Sequence, residues 1–286
     1  QLSTADFNFT KVAQTDSSIV MRLPYGENAY IDHIYTLAPD SYMMDFKVRM
    51  VGMDRYMSRN MSKLGVDWSV DIPRLERGYE NEKNYSTIAY KFPGDEAIED
   101  LGLRKASSSE EITTKVEWFA FQQQFFSAMM TSGSEFASAD LGIDFYSEDE
   151  YKNEGKLMAC TANLRSDFQA GSDNIVIPYE FYFGPNDYKT LKSYGEKYEK
   201  IVPLGGWLVA WFSRFVIIPC FDFLGRFISN YGLVILLMTL LIKLLISPLT
   251  IKSYKSSAKM QVIKPEMDKI NAKYPNEKDA MKKQQA

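Results

Sequence analysis

The sequence has few of the residues on which catalytic and metal sites depend. Its 286 residues include one histidine, His33, and two cysteines, Cys160 and Cys220. No Cys/His spacing typical of a metal site occurs, and neither a phosphate-binding loop nor a nucleophile elbow is found. A lone histidine in the strand-like stretch YIDHIY is more often structural than catalytic. We therefore predict a protein that is not an enzyme and has no catalytic residues, no metal and no cofactor.

The two cysteines do not form a disulfide framework, because one lies in an acidic part of the chain and the other in an apolar part. The amino end lacks a methionine, an apolar leader and a cleavage site. At the other end, the stretch DAMKKQQA is still helix-forming where it stops. We therefore expect the natural protein to extend beyond both ends of this sequence.

The sequence does contain one long apolar run. From Tyr231 to Leu249 there are nineteen residues, of which only Thr239, Lys243 and Ser247 are polar. A helix of this length extends roughly 28 Å, close to the ~30 Å hydrocarbon thickness of a bilayer. We predict a transmembrane helix at residues 231–250, with its cytoplasmic end marked by a proline at position 248.

Charge of each sign is concentrated on one side of this run. Residues 1–203 contain 21 basic and 32 acidic side chains, a net charge of −11. Residues 251–286 contain nine lysines and four acidic side chains, a net charge of +5. Basic residues accumulate on the cytoplasmic side of membrane segments. A single crossing would then leave residues 1–203 in the periplasm and residues 251–286 in the cytoplasm.

The polar residues of the predicted span form a stripe. Thr239, Lys243, Ser247 and Thr250 are spaced by four, four and three residues, so on a helix they lie within roughly 80° of one another. A lysine inside a span costs about 2.5–3.5 kcal/mol on insertion scales, and such residues usually face a wet interior. The alternative is that Lys243 extends its long stem about 9 Å toward the basic-side interface. Geometry alone leaves both interpretations open.

An aromatic segment, residues 203–230, precedes the span. We predict an amphipathic helix in the membrane interface, because Trp207 and Trp211 favour the headgroup zone. Arg214 would lie near mid-membrane if the segment crossed, and Pro219 interrupts the apolar run. A second transmembrane helix is the alternative, although two crossings would place the acidic and basic parts on the same side.

Residues 1–202 are rich in β-strand patterns. Alternation such as Val66, Trp68, Val70 and Ile72 is typical of half-buried strands. Many strands without helical patterns between them favour an antiparallel sandwich. Turn clusters occur at 93–95, 132–134 and 170–174, and residues 185–200 are a helical candidate. The clearest strand candidates are 17–23, 41–53, 66–72, 85–92, 115–122, 156–164 and 174–184.

The basic part after the span, residues 251–286, has a helical pattern. We predict a cytoplasmic helical hairpin whose first helix is kinked at Pro265 and whose turn is YPNE, residues 274–277. The lysines are interpreted either as a solvated helix face with a positive-inside signal or as a partner-binding site.

These parts, in this order, resemble the bacterial YidC membrane protein insertases of the YidC/Oxa/Alb family. A span that closes in SPLT and is followed by KSYKSSAKMQVIKPEMDKI matches the family pattern. The stretches FQQQFFSAMM (121–130) and YFGP (182–185) are similar to landmarks of its periplasmic domain, and residues 75–92 are similar to the corresponding region in some members. The resemblance covers essentially the whole chain and is strongest from position 205 to 267.

The resemblance implies a fold and a location. Residues 1–202 are expected to form a β-supersandwich similar to galactose mutarotases. An interfacial helix at 203–230, a transmembrane helix at 231–250 and an incomplete cytoplasmic hairpin at 251–286 follow. The protein would lie in the bacterial inner membrane, with a large periplasmic domain and a cytoplasmic carboxyl-terminal part.

The resemblance also implies a function. Family members insert nascent hydrophobic segments into the inner membrane through a hydrophilic groove and help them fold, alone or with the Sec translocon. Lys243 falls at the position of the basic residue that lines this groove, with Thr239, Ser247 and Thr250 on the same face. Many members have arginine there, so this chain keeps the charge but loses the planar fork of hydrogen-bond donors.

The implied partners are nascent membrane proteins, the lipid bilayer, the Sec translocon and the ribosome. Lys252, Lys255 and Lys259 are the candidate ribosome or partner contacts, and no sequence-specific nucleic-acid binding is expected. The alternative function is a membrane-anchored periplasmic domain that binds or modifies carbohydrate, with the span as a tether. A tether needs neither a polar stripe nor a basic hairpin, and a fold resemblance to sugar epimerases does not confer their reaction.

Overall fold

The computed structural model describes residues 3–58, 60–101 and 105–273. The chain divides into two units, Gln1–Pro203 and Leu204–Ala286. Within the described residues, the first unit holds all the β-strands and the second holds the long apolar helices. The predicted mainly β domain followed by α-helical membrane segments is therefore confirmed.

The strands of the first unit form two antiparallel sheets. In chain order they are β1 (Thr10–Gln14), β2 (Ser18–Gly26), β3 (Ala29–Leu37), β4 (Met43–Val51), β5 (Lys63–Pro73), β6 (Thr87–Lys91), β7 (Glu99–Asp100), β8 (Ser107–Ile112), β9 (Val116–Gln122), β10 (Phe126–Phe136), β11 (Ser138–Phe145), β12 (Lys156–Asp167) and β13 (Asn174–Pro185). The larger sheet has the order β1-β2-β3-β4-β13-β10-β9-β6-β7, and the smaller has the order β5-β12-β11-β8. Two short helices, α1 (Tyr79–Asn84) and α2 (Glu148–Asn153), connect strands.

The centre of the larger sheet is apolar on both faces. Most residues of β9, with the sequence VEWFAFQ, are buried without alternation. The rings of Phe119 and Phe121 contact Trp68 of the smaller sheet, with centroids 5.8 and 4.8 Å away. Trp118 belongs to the opposite face and donates a hydrogen bond from Nε1 to the carbonyl of Glu196 at 2.8 Å. β9 is therefore covered on both sides, which explains its continuous apolar sequence.

The segment that covers the outer face follows β13. It contains α3 (Tyr188–Ser193) and a 3-10 turn, Tyr198–Ile201, so the predicted helix within 185–200 is confirmed as a short one. Leu191, Tyr198 and Ile201 are buried there together with Trp118. The chain leaves the β domain from this segment.

The strand predictions succeed, but one predicted turn is wrong. All seven candidate stretches contain strands, namely β2, β4, β5, β6, β9, β12 and β13. Residues 132–134 lie inside β10, where the pairing with β9 shifts between Thr131 and Phe136. A β-carbon at Gly133 would lie 2.8 Å from Cγ of Pro178. The glycine therefore lets Pro178 of the neighbouring strand pack close to the backbone of an irregular strand. A short run of Ser and Gly is common both at such irregularities and in turns, so the sequence alone does not tell them apart.

The second unit begins with a helix in three parts. α4 (Trp207–Phe212) passes into a π-helical turn, Ser213–Ile217, and then into α5 (Ile218–Phe227). The sequence predicts an interruption at Pro219, yet the helical path continues through this residue. The N–H of Ile218 donates to the carbonyl of Ser213, five residues earlier. The proline, which has no N–H, follows at the start of α5. This change of hydrogen-bond pattern accommodates the proline.

α6 (Tyr231–Lys273) is one helix of 43 residues with two internal prolines. Pro248 has no N–H to donate to the carbonyl of Leu244, four residues earlier. The hydroxyl of Ser247 donates to this carbonyl at 2.8 Å instead. A side-chain hydroxyl thus replaces the missing backbone bond, and the helix does not end where the span is predicted to end.

Two helical segments are long and apolar enough to cross a membrane, Trp207–Phe227 and Tyr231–Ile270. The second contains the predicted span. Because the first meets the same test, the interfacial position of 203–230 stays a prediction, as do the borders at 203, 231 and 251. The turn at 274–277 and the second helix of the hairpin lie outside the described residues.

Candidate functional site

The start of α6 is fixed by a side-chain cap. The Oδ1 atom of Asn230 accepts hydrogen bonds from the backbone N–H groups of Gly232 and Leu233, at 3.0 and 3.3 Å. Asparagine is a favoured residue at this position because it satisfies N–H groups that have no partner within the helix. The ring of Tyr231 stacks on Phe221 of α5, with centroids 6.0 Å apart. These contacts join the aromatic segment to the predicted span.

The stripe on α6 holds all four predicted groove residues, but its hydroxyls already have partners. Thr239 and Thr250 each donate to the carbonyl four residues earlier, at 2.8 and 3.1 Å. Ser247 donates three residues back to the carbonyl that the proline leaves unpaired. Hydroxyls that bond within their own helix are tolerated next to lipid. They therefore do not require a wet surrounding.

Lys243 is the member of the stripe that still needs a polar partner. Its side chain is exposed, and within the described residues its ammonium group has no hydrogen bond or ion pair. Val234 and Met238, which lie nearly opposite the stripe around the helix, are buried. The charged face of α6 thus points away from the buried face. Lys243 is therefore the residue that indicates a polar environment along the stripe.

The aromatic helix exposes its tryptophans. Trp207 and Trp211 are 83% and 56% exposed, and Phe215 lies beside Trp211 with ring centroids 5.7 Å apart. Arg214 is half-buried. A continuous exposed aromatic face of this kind is typical of helices at a membrane interface, where an indole ring is apolar and its N–H finds a polar partner.

We expect Trp207 and Trp211 to lie at headgroup depth. In proteoliposomes, lipids brominated close to the headgroup should quench their fluorescence more strongly than lipids brominated near the chain ends. The double variant Trp207→Phe/Trp211→Phe is the control, because Trp68 and Trp118 of the β domain then report the background. Strongest quenching by the deepest bromines would show that this segment spans the membrane.

The three lysines predicted to bind a partner share one face of α6. Lys252, Lys255 and Lys259 are exposed and follow a spacing of three and four residues. Apolar side chains nearby are exposed as well, with Tyr254 at 72% and Val262 at 76%. This part of the helix therefore presents both basic and apolar groups.

The lone histidine is part of the packing of the β domain. His33 stacks on Phe9 with ring centroids 4.2 Å apart and meets Phe46 edge-on at 5.2 Å. Burial lowers the pKa of His33 from its ordinary value, against the smaller opposing effect of the neighbouring Asp32 carboxylate. Among the described residues, no group of three or more His, Cys, Asp and Glu side chains is arranged to hold a metal ion.

A buried ion network crosses three strands, and no local sequence pattern reveals it. Asp32 is fully buried and accepts two hydrogen bonds from Arg22, at 2.6 and 2.9 Å, and one from Arg49 at 2.5 Å. Burial by itself would raise the pKa of Asp32, but these hydrogen bonds hold it below its usual range. The residues stand opposite one another only after β2, β3 and β4 pair. The network is structural and lies within the larger sheet.

Comparison with known proteins places the two parts of the chain in one family. Residues 2–218 match the model of the YidC periplasmic domain, and residues 223–286 match that of the 60Kd inner membrane protein. The membrane protein insertase YidC of Parabacteroides distasonis is 37% identical over 294 residues, covering 100% of this chain and 45% of that protein. The same-named protein of Bacteroides fragilis is 37% identical over 290 residues, with 99% and 46% covered.

A further relative from Amoebophilus asiaticus, also named membrane protein insertase YidC, is 32% identical over 271 residues. The alignment covers 93% of this chain and 44% of that protein, so the chain spans slightly less than half the length of the curated relatives that it matches. The resemblance drawn from the span, the basic segment and the periplasmic landmarks is thereby confirmed. The chain belongs to the YidC family, whose members are inner-membrane proteins with a periplasmic domain.

Proposed function

We propose that the chain is part of an insertase and chaperone that receives hydrophobic segments of nascent membrane proteins and releases them into the inner membrane. No covalent chemistry is involved. The observation that carries the proposal is an exposed lysine, Lys243, within a helix long and apolar enough to cross a bilayer; among the described residues its ammonium group has no polar partner. The names of the curated relatives support the same function.

The proposed role of Lys243 is to line a water-filled groove. A charge at this depth costs about 2.5–3.5 kcal/mol on insertion scales, which favours a position next to water. A single helix supplies one wall of such a groove. Lysine is a compact point charge with three rotatable donors, so it attracts carboxylates without a fixed geometry. Weak and reversible binding suits clients that must leave sideways into lipid.

The insertase proposal is tested by reconstituting the full-length protein into liposomes and adding a radiolabelled client with one hydrophobic segment. Protease protection of the translocated part should depend on the protein. Equal protection in protein-free liposomes and in proteoliposomes would contradict the proposal.

A carbohydrate site in the β domain is disfavoured by the lining of a hollow between its two sheets, which has a volume of about 560 Å³. Trp68, Phe181 and Phe183 are among its aromatic lining residues, and Asp67 is its one charged lining residue. Sugar hydroxyls need several convergent polar groups in addition to aromatic surface. The hollow offers too few of these groups.

The basic face of α6 is proposed to contact the translating ribosome, and the Sec translocon remains a further proposed partner. Changing Lys252, Lys255 and Lys259 together to glutamine should weaken ribosome binding at low salt. For the unchanged protein, raising the salt from 50 to 200 mM should lower the affinity by about 20- to 40-fold, because three such contacts release counterions. Sedimentation with ribosomes at several salt concentrations measures this. Lys264→Gln, on another side of the helix, is the control, and salt-independent binding would contradict the contact.

A further inference from the structure

One end of the β-sandwich exposes a cluster of large apolar side chains. Six of them are between 44% and 52% exposed: Tyr42, Leu75, Tyr85, Phe125, Phe126 and Phe183. Phe125 and Phe126 form the tip of the hairpin between β9 and β10. Tyr42, Phe126 and Phe183 line one hollow of about 340 Å³. Single exposed apolar residues are ordinary, but a contiguous patch marks an interaction surface.

The tip of this hairpin is held rigidly by one asparagine. Asn186 donates from its backbone N–H to the carbonyl of Phe125 and from Nδ2 to that of Gln123, both at 2.7 Å. Its Oδ1 accepts from the hydroxyl of Ser127 at 2.7 Å, and the N–H of Gln123 donates to the carbonyl of Phe126 at 2.9 Å. These hydrogen bonds engage the carbonyls of Gln123, Phe125 and Phe126, so the two phenylalanine rings project from a fixed support.

The same end of the domain is where the chain leaves toward the apolar helices. Nε2 of Gln122, at the base of the hairpin, donates to the carbonyl of Ile201 at 3.1 Å. Only five residues separate Ile201 from Trp207, where the aromatic helix begins, and the six steps of an extended chain between them reach about 20 Å. The hairpin base therefore lies beside the point where the chain leaves the β domain.

Basic side chains stand beside the patch. α3 begins two residues after Asn186, and its Lys189 and Lys192 are exposed. Lysines at this position complement the anionic headgroups of bacterial phospholipids, while the rest of the β domain is strongly acidic. The combination of aromatic tips with flanking lysines is typical of surfaces that bind a bilayer interface.

We propose that the tip of the β9–β10 hairpin, with Tyr42 and Phe183 beside it, contacts the periplasmic surface of the lipid bilayer. The rings of Phe125 and Phe126 lie among the headgroups, and Lys189 and Lys192 face lipid phosphates. Together with the covalent connection at Pro203, this second attachment fixes the orientation of the domain above the membrane.

The test places a fluorescent label next to the tip without removing either ring. In the full-length protein carrying Cys220→Ser, Gln124→Cys is labelled with NBD and reconstituted into phospholipid vesicles. Ser172→Cys is the matched control, because the turn between β12 and β13 lies at the opposite end of the sheet. NBD at position 124 should be quenched several-fold more by headgroup-proximal spin-labelled lipids than NBD at position 172.

A second variant separates membrane contact from local packing. Phe125→Ser/Phe126→Ser changes two half-exposed rings, so the fold should survive, as near-UV circular dichroism will show, while the quenching at position 124 falls to the control level. Equal quenching at positions 124 and 172 would overturn the proposal. So would an apolar NBD spectrum without quenching by lipid, since a protein surface would then cover the tip. Unchanged quenching in the double serine variant would overturn it as well.

Discussion

Replacing Lys243 with leucine should slow the insertion of clients whose translocated tails are acidic by about tenfold, equivalent to ~1.4 kcal/mol. Lys243 is the one charged side chain between Tyr231 and Thr250, and the three hydroxyls of its stripe already bond within α6. In a wet groove, a client carboxylate is attracted to this ammonium. The Coulomb energy is stronger than in bulk water and weaker than for a pair close to a protein surface. Leucine abolishes that attraction.

Clients with uniformly hydrophobic segments and neutral tails should be affected much less, because their transfer into lipid is driven by partitioning. Lys243→Arg keeps the charge and should retain most of the activity. Thr239→Val removes a hydroxyl that donates within the helix, so it should have little effect on either client.

Reconstituted insertion of acidic-tailed and neutral-tailed versions of one client, with the full-length protein, makes the comparison directly. If Lys243 only extends toward the interface, the leucine variant should insert both clients as well as the unchanged protein does. That result would discard the groove role.

Asp32→Asn should destabilise the β domain by about 2–3 kcal/mol, less than the ~3–5 kcal/mol lost when a fully buried ion pair is broken. The carboxylate is fully buried, but Arg22 and Arg49 are 31% and 34% exposed, so water compensates them in part. For a domain of this size the melting temperature should fall by roughly 5–10 °C. Near-UV circular dichroism of the detergent-solubilised chain follows this transition.

The effect of Asp32→Asn should depend on pH. Because the folded-state pKa of Asp32 lies below its unfolded value, its contribution to stability is complete above the unfolded pKa, near pH 4. That contribution is lost as the pH falls through the folded pKa. The difference in the free energy of unfolding between the unchanged protein and the Asp32→Asn variant should therefore be constant from pH 5 to 7 and shrink in stronger acid. Asp45→Asn, an exposed change on β4, is the control, and an equal loss in both variants would contradict the network's role.

Much of the β domain is predictable from sequence because its strands bury one face. The alternation of Val66, Trp68, Val70 and Ile72 identifies β5, and the continuous apolar run of β9 fits a strand covered on both sides. β8 has the sequence SSSEEI and gives no such signal, because it is an edge strand with mostly exposed side chains. The ion network of Asp32 needs the register of three strands, which local patterns do not contain.

In the helical unit, the sequence predicts which residues share a face but not which hydrogen bonds their side chains make. Spacing alone puts Thr239, Lys243, Ser247 and Thr250 on one face of α6. It does not tell that the hydroxyls turn back onto carbonyls, since that choice depends on side-chain rotamers. The proline at position 248 predicts a helix end, but the hydroxyl of the preceding serine replaces the missing bond and the helix continues. Sequence patterns identify the stripe. The side-chain hydrogen bonds then show that Lys243 is the member of the stripe that needs a polar environment.

Thiol accessibility in the membrane tests whether the Lys243 face of α6 borders water. Thr239→Cys lies on this face, and Leu241→Cys lies at nearly the same depth on the opposite face. Cys220→Ser removes the half-buried native thiol, and Cys160 is inert because burial raises its pKa to about 12. Maleimide reacts with the thiolate, which forms only where water reaches the thiol.

In the full-length protein, Thr239→Cys should react at least about tenfold faster than Leu241→Cys. This ratio corresponds to a difference of ~1.4 kcal/mol or more in the free energy of forming the thiolate at the two positions. Equal and slow reaction at both positions would show that the Lys243 face does not border water.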